Sequence, residues 1–169
     1  AIKQQRFPHC LAKLLLSWQK AARTQGIHAG LAENFTAIIE TYEPFIIKDE
    51  RMAPVTQLQL LELCEAIQQR QWVVERDYSI QRKVRHHTDG QHSLVINAEQ
   101  WQSAFAPDST LMHPLSLYVR GDVRQLTEVA MQHQLLLHKV TDYKSLVKYH
   151  GEYLIYPANA GDRLAQLVS

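Results

Sequence analysis

Hydrophobic residues change their spacing near residue 72, and this change divides the chain into a helical part and a mixed part. In the first part, apolar side chains recur every three or four positions, which is typical of amphipathic helices with one buried face. We predict a helical pair over residues 7–23 and 31–42, and a third helix over residues 56–70 with Thr56 as its cap. The buried stripe of the third helix is expected to comprise Leu58, Leu61, Cys64 and Ile67.

Beyond the third helix, polar and apolar residues alternate over 78–86, which predicts a β-strand. Asp89-Gly90 follows this strand and favours a type I′ turn, because both central residues of that turn need positive φ. Residues 92–97 are then the return strand of a β-hairpin, and residues 98–105 form a short helix. This part of the chain is therefore predicted to be a helix followed by a hairpin.

The last third of the chain repeats the same order of elements. A strand and a helix capped at Gly121-Asp122 precede a second hairpin, which turns at His150-Gly151. The predicted elements are a strand over 115–119, a helix over 123–137, hairpin strands over 146–149 and 153–156, and a helix over 162–168.

We therefore predict an α+β fold in which N-terminal helices precede two helix-plus-β-hairpin units in a winged-helix-like arrangement. The three parts are residues 1–53, 54–110 and 111–169, and together they are expected to form one compact domain. An offset of 65 positions aligns Leu61 with Leu126, but identities are few. True repetition and coincidence both stay open as explanations.

The charge balance bears on the class of partner. Eighteen Lys and Arg face 17 Asp and Glu, so the formal charge of +1 is far from that of a strongly basic nucleic-acid binder. Any such binding must come from local clustering. Cys10 and Cys64 lie among apolar helical residues, which indicates buried thiols in a reducing, cytoplasmic setting. Apolar runs are too short to span a bilayer, so we expect no membrane contact.

Three cations and two histidines lie close together on the first predicted hairpin, and this is the densest basic stretch of the chain. In a winged-helix protein, helices enter the major groove while the hairpin wing contacts the DNA backbone. This pattern predicts nucleic-acid binding, although a charged edge strand that blocks edge-to-edge pairing would look the same. The candidate nucleic-acid-binding residues are Arg82, Lys83, Arg85, His86 and His87.

Tyrosines are concentrated around the second predicted hairpin, where Tyr149 and Tyr153 would be cross-strand neighbours. Tyrosine is favoured both in strand packing and at protein interfaces. The alternative to nucleic-acid binding is therefore a protein–protein adaptor that uses these tyrosines or the N-terminal helices.

Sequence motifs for catalysis, phosphate cradles and metal centres are missing from the chain. Cys10 follows His9, but adjacent helical residues diverge and cannot act as a nucleophile and its base. His86 and His87 would point to opposite faces of a strand and cannot easily share an ion with His92. We expect a non-enzymatic binding module of a larger protein or complex, with no cofactor and no metal.

Overall fold

A five-stranded sheet forms the centre of the fold, with α-helices before it and beside it. The computed structural model describes residues 11–47 and 51–168. The predicted α+β class is confirmed. The helices are α1 (Ala12–Gln25), α2 (Leu31–Tyr42), α3 (Gln57–Gln68), α4 (Ala98–Ser103) and α5 (Val123–Gln132). The strands are β1 (Val73–Tyr78), β2 (Ser93–Asn97), β3 (Leu115–Arg120), β4 (His138–Thr141) and β5 (Gly151–Ile155).

Two predicted helix starts are confirmed by side-chain caps. Thr56 Oγ1 accepts a hydrogen bond from the Gln59 N–H at 3.4 Å, and Gln59 Oε1 accepts one from the Thr56 N–H at 2.8 Å. At the start of α5, Asp122 Oδ1 accepts a hydrogen bond from the Gln125 N–H at 3.1 Å. The N–H groups of Gln59 and Gln125 lie in the first turns of their helices, where no backbone carbonyl is available to them, and the N–H of Thr56 lies just before α3. Because side chains satisfy these groups, the two helices begin at defined residues.

The buried stripe of α3 contains Cys64 and Ile67, as predicted, but not Leu58 or Leu61. Leu60 and Leu63 are fully buried together with Cys64, whereas Leu58 is 62% exposed. The Leu-rich run offers two overlapping stripes at helical spacing, and periodicity alone does not choose between them. Packing against the sheet selects the stripe that contains Leu60 and Leu63.

Cys64 is a free and buried thiol, as predicted. Burial raises the pKa of this thiol to about 11. The thiol therefore stays protonated at neutral pH and behaves as a small hydrophobic side chain. Cys10 and His9 lie outside the described residues, as does the predicted start of the first helix at residue 7.

The first predicted hairpin is wrong, because β1 and β2 pair in parallel and residues 79–92 cross between them. The predicted turn itself is present. Its central residues have φ of 46° at Asp89 and 85° at Gly90, and the Gln91 N–H donates to the Thr88 carbonyl at 2.8 Å. The turn lies inside a crossover connection, so β1 and β2 make no wing and the winged-helix-like arrangement is not confirmed.

The second predicted hairpin uses different strands from those expected. Strand β5 pairs antiparallel with both β3 and β4, in a sheet of order β1-β2-β3-β5-β4. Residues 142–150, which include the predicted strand over 146–149, connect β4 to β5. The order helix, strand, strand does occur twice, but one strand pair is parallel and the other antiparallel. The two units are not equivalent hairpins.

Two predicted helical segments are shorter or absent. Helix α5 ends at Gln132 and not at residue 137, because Gln134 adopts a φ of 55° that a helix cannot continue through. Residues 162–168 are not helical, and Ala165 instead forms a β-bridge with His138. The C-terminal segment therefore runs alongside β4, at the edge of the sheet.

The two faces of the sheet have different covers. On the helix face, Leu94 and Leu117 belong to the main core, to which α3 and α5 contribute. On the opposite face, which we call the loop face, Val95 and Tyr118 pack against residues of the two connections over 79–92 and 142–150. Alternation along the strands sends neighbouring residues to opposite faces, so one sheet supports both cores.

Helices α1 and α2 bury little of their apolar surface. The Trp18 and Phe35 rings meet edge to face with centroids 5.5 Å apart. Tyr42 Oη accepts a hydrogen bond from the Ala165 N–H at 2.8 Å, which ties the end of α2 to the C-terminal segment. Phe35 nevertheless remains 54% exposed and Ile39 61% exposed.

In the described parts of the chain, no helix has both the length and the apolar character needed to cross a membrane.

Candidate nucleic-acid interface

Two connections meet on the loop face. We call residues 79–92 the basic loop and residues 142–150 the tyrosine loop. The Val84 N–H donates to the Leu146 carbonyl at 2.9 Å, and the Lys148 N–H donates to the Val84 carbonyl at 2.8 Å. These bonds form a short parallel bridge that holds the two loops side by side. Residues 62 to 64 positions apart in sequence therefore share one surface.

The basic loop keeps the alternation that the sequence showed, although it is not a strand. Val84 and His86 are half-buried, whereas Lys83, Arg85 and His87 are exposed. Val84 packs against the small core of the loop face. That anchor turns the cations outward, and Arg82 is exposed as well. Exposure therefore alternates from Lys83 to His87, as the sequence pattern over 78–86 does.

The first of two depressions on this surface is lined by lysines and tyrosines, and we call it the lysine cleft. Its volume is about 420 Å³, within the range of ligand pockets in proteins. Its tyrosines are each 67% exposed, so their rings are open to a partner. The lining residues are Lys83, Tyr143, Lys144, Lys148 and Tyr149.

The second depression is smaller, and we call it the arginine pocket. It has a volume of about 270 Å³ and contains one wall from the basic loop. Arg120, the last residue of β3, contributes a second arginine. Tyr149 lines both depressions, so they adjoin. The lining residues are Arg85, His86, His87, Thr88, Asp89, Gly90, Arg120 and Tyr149.

Positive charge is concentrated at these two depressions. Five Lys and Arg side chains and one carboxylate, that of Asp89, line them, which gives a formal +4. The whole chain carries only +1, so its remaining residues carry −3. A surface of this kind attracts anions even though the overall charge of the protein is nearly neutral.

Tyr149 is held in an unusual backbone conformation, with a φ of 64°. For a residue with a side chain this left-handed region is unfavourable, and such residues are often found at functional sites. Gly151 follows closely, and a Cβ there would lie 2.8 Å from the Asp142 carbonyl oxygen. A glycine is thus needed where the tyrosine loop returns to the sheet. Close packing of the backbone at Gly151 therefore restricts the path of the loop on which Tyr149 lies.

Tyr153, the other candidate protein-binding residue, is not on this surface. It is 3% exposed and packs in the main core on the helix face. Tyr149 is 67% exposed and precedes β5, so the two tyrosines are not cross-strand neighbours. For Tyr153, the sheet-packing interpretation of the sequence is the correct one.

A hydrogen-bonded pair lies behind the arginine pocket. The His150 Nδ1–H donates to the Lys148 carbonyl at 2.8 Å, so Nε2 can accept from the Ser93 hydroxyl, also at 2.8 Å. Burial lowers the pKa of His150, and the neighbouring His86 and Arg120 lower it further. Ser93 and His150 are both 0% exposed. This pair therefore ties β2 to the tyrosine loop and does not face solvent.

The histidines do not converge on one point. The rings of His86 and His150 are 6.0 Å apart, whereas His92 packs on Trp72 with centroids 5.0 Å apart. Across residues 11–47 and 51–168, no group of three or more His, Cys, Asp or Glu side chains is placed to hold a metal ion.

Sequence reasoning missed three cations of this surface. Lys144 and Lys148 sit beside Tyr143 and Tyr149 in the segment Tyr-Lys-Ser-Leu-Val-Lys-Tyr, and this pairing of aromatic and basic residues was a usable signal. Arg120 carries no local signal, because its role depends only on which loops pass the end of β3.

The fold and the surface define a class: an α+β protein whose sheet carries helices on one face and a basic, tyrosine-lined pair of loops on the other. Residues 1–168 match the family model described as "Protein of unknown function (DUF2913)", and the chain belongs to that family. No curated protein and no solved structure matches this chain.

Proposed function

We propose that this protein is a nucleic-acid-binding module and that it binds single strands through the paired basic and tyrosine loops. The observation that carries the proposal is the meeting of five cations with two exposed tyrosines in adjoining depressions. The basic loop contributes cations but no tyrosine to this surface, and the tyrosine loop contributes both tyrosines but only two of the five cations. Their pairing at Val84 creates the combined surface.

The chemistry of a single strand suits this surface. Lysine and arginine neutralise backbone phosphates, and this term weakens as salt is added. Exposed aromatic rings stack on unpaired bases, and each stacked base is worth about 1–3 kcal/mol. In the lysine cleft, Tyr143 and Tyr149 offer two rings beside three lysines. Cations would therefore follow the backbone while the rings accept bases.

A single strand is favoured over duplex DNA as the ligand. The rings can stack only on bases that are not paired within a duplex. Major-groove readers commonly insert a helix that carries basic residues, but α3 contains no Lys or Arg, and the one arginine of α5, Arg124, pairs with Glu128. The loop face presents irregular backbone with cations and rings, which resembles a stacking platform more than a recognition helix.

The decisive experiment compares two double variants with the same change in net charge. Lys83→Glu with Lys148→Glu alters the lysine cleft, whereas Arg70→Glu with Arg124→Glu alters the exposed ends of α3 and α5. Binding to a labelled single strand and to a duplex would be measured by fluorescence anisotropy at low salt. We expect the cleft variant to lose at least about tenfold in affinity and the control to stay near wild type.

Salt dependence and ring removal separate the two parts of the surface. For single strands, log K should fall with log salt by about 0.7 for each phosphate neutralised. Tyr143→Ala with Tyr149→Ala should weaken binding without changing this slope. Absence of binding to any strand at low salt, or an equal loss in both charge variants, contradicts the proposal.

A protein–protein contact is the second candidate function, and exposed apolar residues on the N-terminal helices favour it. Phe35 and Ile39 of α2 are 54% and 61% exposed, and Ile27 is 94% exposed. Such a contact would be apolar and only weakly salt-dependent. Phe35→Ser with Ile39→Ser should then abolish co-purification of a partner while leaving strand binding intact.

A further inference from the structure

We infer that the arginine pocket holds a terminal phosphate monoester of a bound single strand. This inference rests on the proposed function and adds the part of the strand that the pocket recognises. Tyr149 lines both the pocket and the lysine cleft, so a strand with its bases in the cleft ends next to the pocket.

The hydrogen-bond donors of the pocket suit a phosphate monoester. Arg85 and Arg120 bring two guanidinium groups, which bind phosphate oxygens with paired N–H donors. Asp89 contributes the one carboxylate among the lining residues. A monoester carries about −1.5 to −2 charges at neutral pH, whereas a backbone diester carries one. The two arginines exceed the one carboxylate by a single charge, so charge alone does not choose between the two groups. A monoester, however, offers three free oxygens to the paired donors of Arg85 and Arg120, whereas a diester offers only two.

Unpaired buried polar atoms point to the same kind of ligand. Thr88 is 5% exposed, and its Oγ1 has no hydrogen-bond partner within the described chain. His86 Nε2 is likewise buried and unpaired within those residues. Buried polar atoms are costly when they lack partners, and most in folded proteins have one. Phosphate oxygens accept hydrogen bonds from hydroxyl and imidazole donors. Both side chains line the pocket, so a rotation of each towards its interior would let a monoester satisfy the two groups.

The test compares strands of one sequence and about 12 nucleotides that differ only at their ends. One carries a 5′-phosphate, one a 3′-phosphate and one hydroxyl groups at both ends. We expect one phosphorylated strand to bind the wild-type protein about tenfold more tightly than the hydroxyl-ended strand. Arg85→Gln and Thr88→Val should each reduce that ratio towards one, and Arg124→Gln on α5 should leave it unchanged.

Thr88→Val also separates a loss of ligand binding from a loss of folding. Valine has the shape of threonine without the unpaired hydroxyl, so the free protein should melt at the same or a higher temperature. A lower ratio in a protein of undiminished stability supports a ligand contact by Thr88.

The remaining outcomes separate the two levels of the proposal. If all three strands bind equally, the pocket assignment is wrong and the nucleic-acid function stands. If no strand binds, the proposed function itself fails. If inorganic phosphate or a nucleoside monophosphate binds as tightly as the phosphorylated strand, the pocket recognises the free compound, and the assignment to a strand end is overturned.

Discussion

The helix face and the loop face of the sheet are covered in opposite ways. On the helix face, α3 and α5 provide regular apolar stripes, and the result is the main core. On the loop face, two irregular connections bury a few side chains around Val147 and leave their cations and tyrosines exposed. The helix face provides most of the buried apolar core, and the loop face provides the surface that we propose binds nucleic acid. The contrast illustrates why binding residues are often found on loops that a rigid scaffold holds in place.

The largest effect is expected from truncation in the main core. Leu117 is 0% exposed on the helix face, and Leu117→Ala should lower the free energy of unfolding by about 2–5 kcal/mol. Val147 is also 0% exposed, but its cluster is small, and Val147→Ala removes two methyl groups worth about 1.6 kcal/mol. Urea unfolding measures both values. Equal losses would remove the contrast between the faces.

The next effect concerns the path of the tyrosine loop. A Cβ at Gly151 would lie 2.8 Å from the Asp142 carbonyl and 3.0 Å from the Thr141 carbonyl. Gly151→Ala should therefore cost about 1–3 kcal/mol and displace the loop. Because Tyr143 and Lys144 belong to that loop, strand binding should fall together with stability. Gly90→Ala is a useful comparison, since no atom lies within 4 Å of a Cβ there, although its φ of 85° adds strain.

Stability also depends on pH through two buried histidines. Burial lowers the pKa of His150 beneath the loops and that of His138 at the edge strand. The unfolded chain takes up protons at these residues near pH 6.5, whereas the folded protein resists doing so. Their contribution is therefore complete above about pH 6.5 and is lost as the pH falls below that value.

This dependence can be assigned with single variants. His150→Gln and His138→Gln should each remove part of the stability lost between about pH 7.5 and about pH 5.5, up to about 1.4 kcal/mol per pH unit. Unfolding free energies at the two pH values measure it. His28→Gln is the matched control on the exposed helical connection, and an unchanged slope in both test variants would contradict the assignment.

The smallest effect separates function from stability at Tyr149. Its φ of 64° is strained for tyrosine but acceptable for asparagine, so Tyr149→Asn should stabilise the protein by about 0.5–1 kcal/mol. The same change removes a ring shared by both depressions and should weaken strand binding. Thermal unfolding tests the expected gain in stability, and fluorescence anisotropy tests the expected loss of strand binding. A loss of stability would mean that Tyr149 is retained for packing.

Much of the local structure was predictable from sequence. Thr56 and Asp122 cap their helices as expected, and Asp89-Gly90 adopts the positive φ values of a type I′ turn. The alternation predicted over 78–86 is also seen in burial, since Lys83 and Arg85 are exposed while Val84 is half-buried. These features depend on residues within a few positions of each other, so a linear pattern contains them.

The candidate surface was only half predictable. The basic residues and Tyr149 were identified, but as parts of two separate hypotheses about different partners. Their meeting depends on the bridge between Val84 and Val147, which no local pattern encodes. Tyr153 was grouped with Tyr149 by proximity in sequence, yet one is buried and the other exposed. Arg120 was missed because its contribution comes entirely from the packing of the loops around it.

By itself, the sequence determined the α+β class, two helix caps, the turn at Asp89-Gly90 and the alternation in which Val84 separates Lys83 from Arg85. Only the tertiary structure decided that β1 and β2 run parallel, that the turn lies in a crossover, and that the basic and tyrosine loops share one surface. The physical reason is range. Caps and turns are settled by hydrogen bonds between near neighbours, whereas strand direction and loop pairing depend on which distant residues bury apolar surface together.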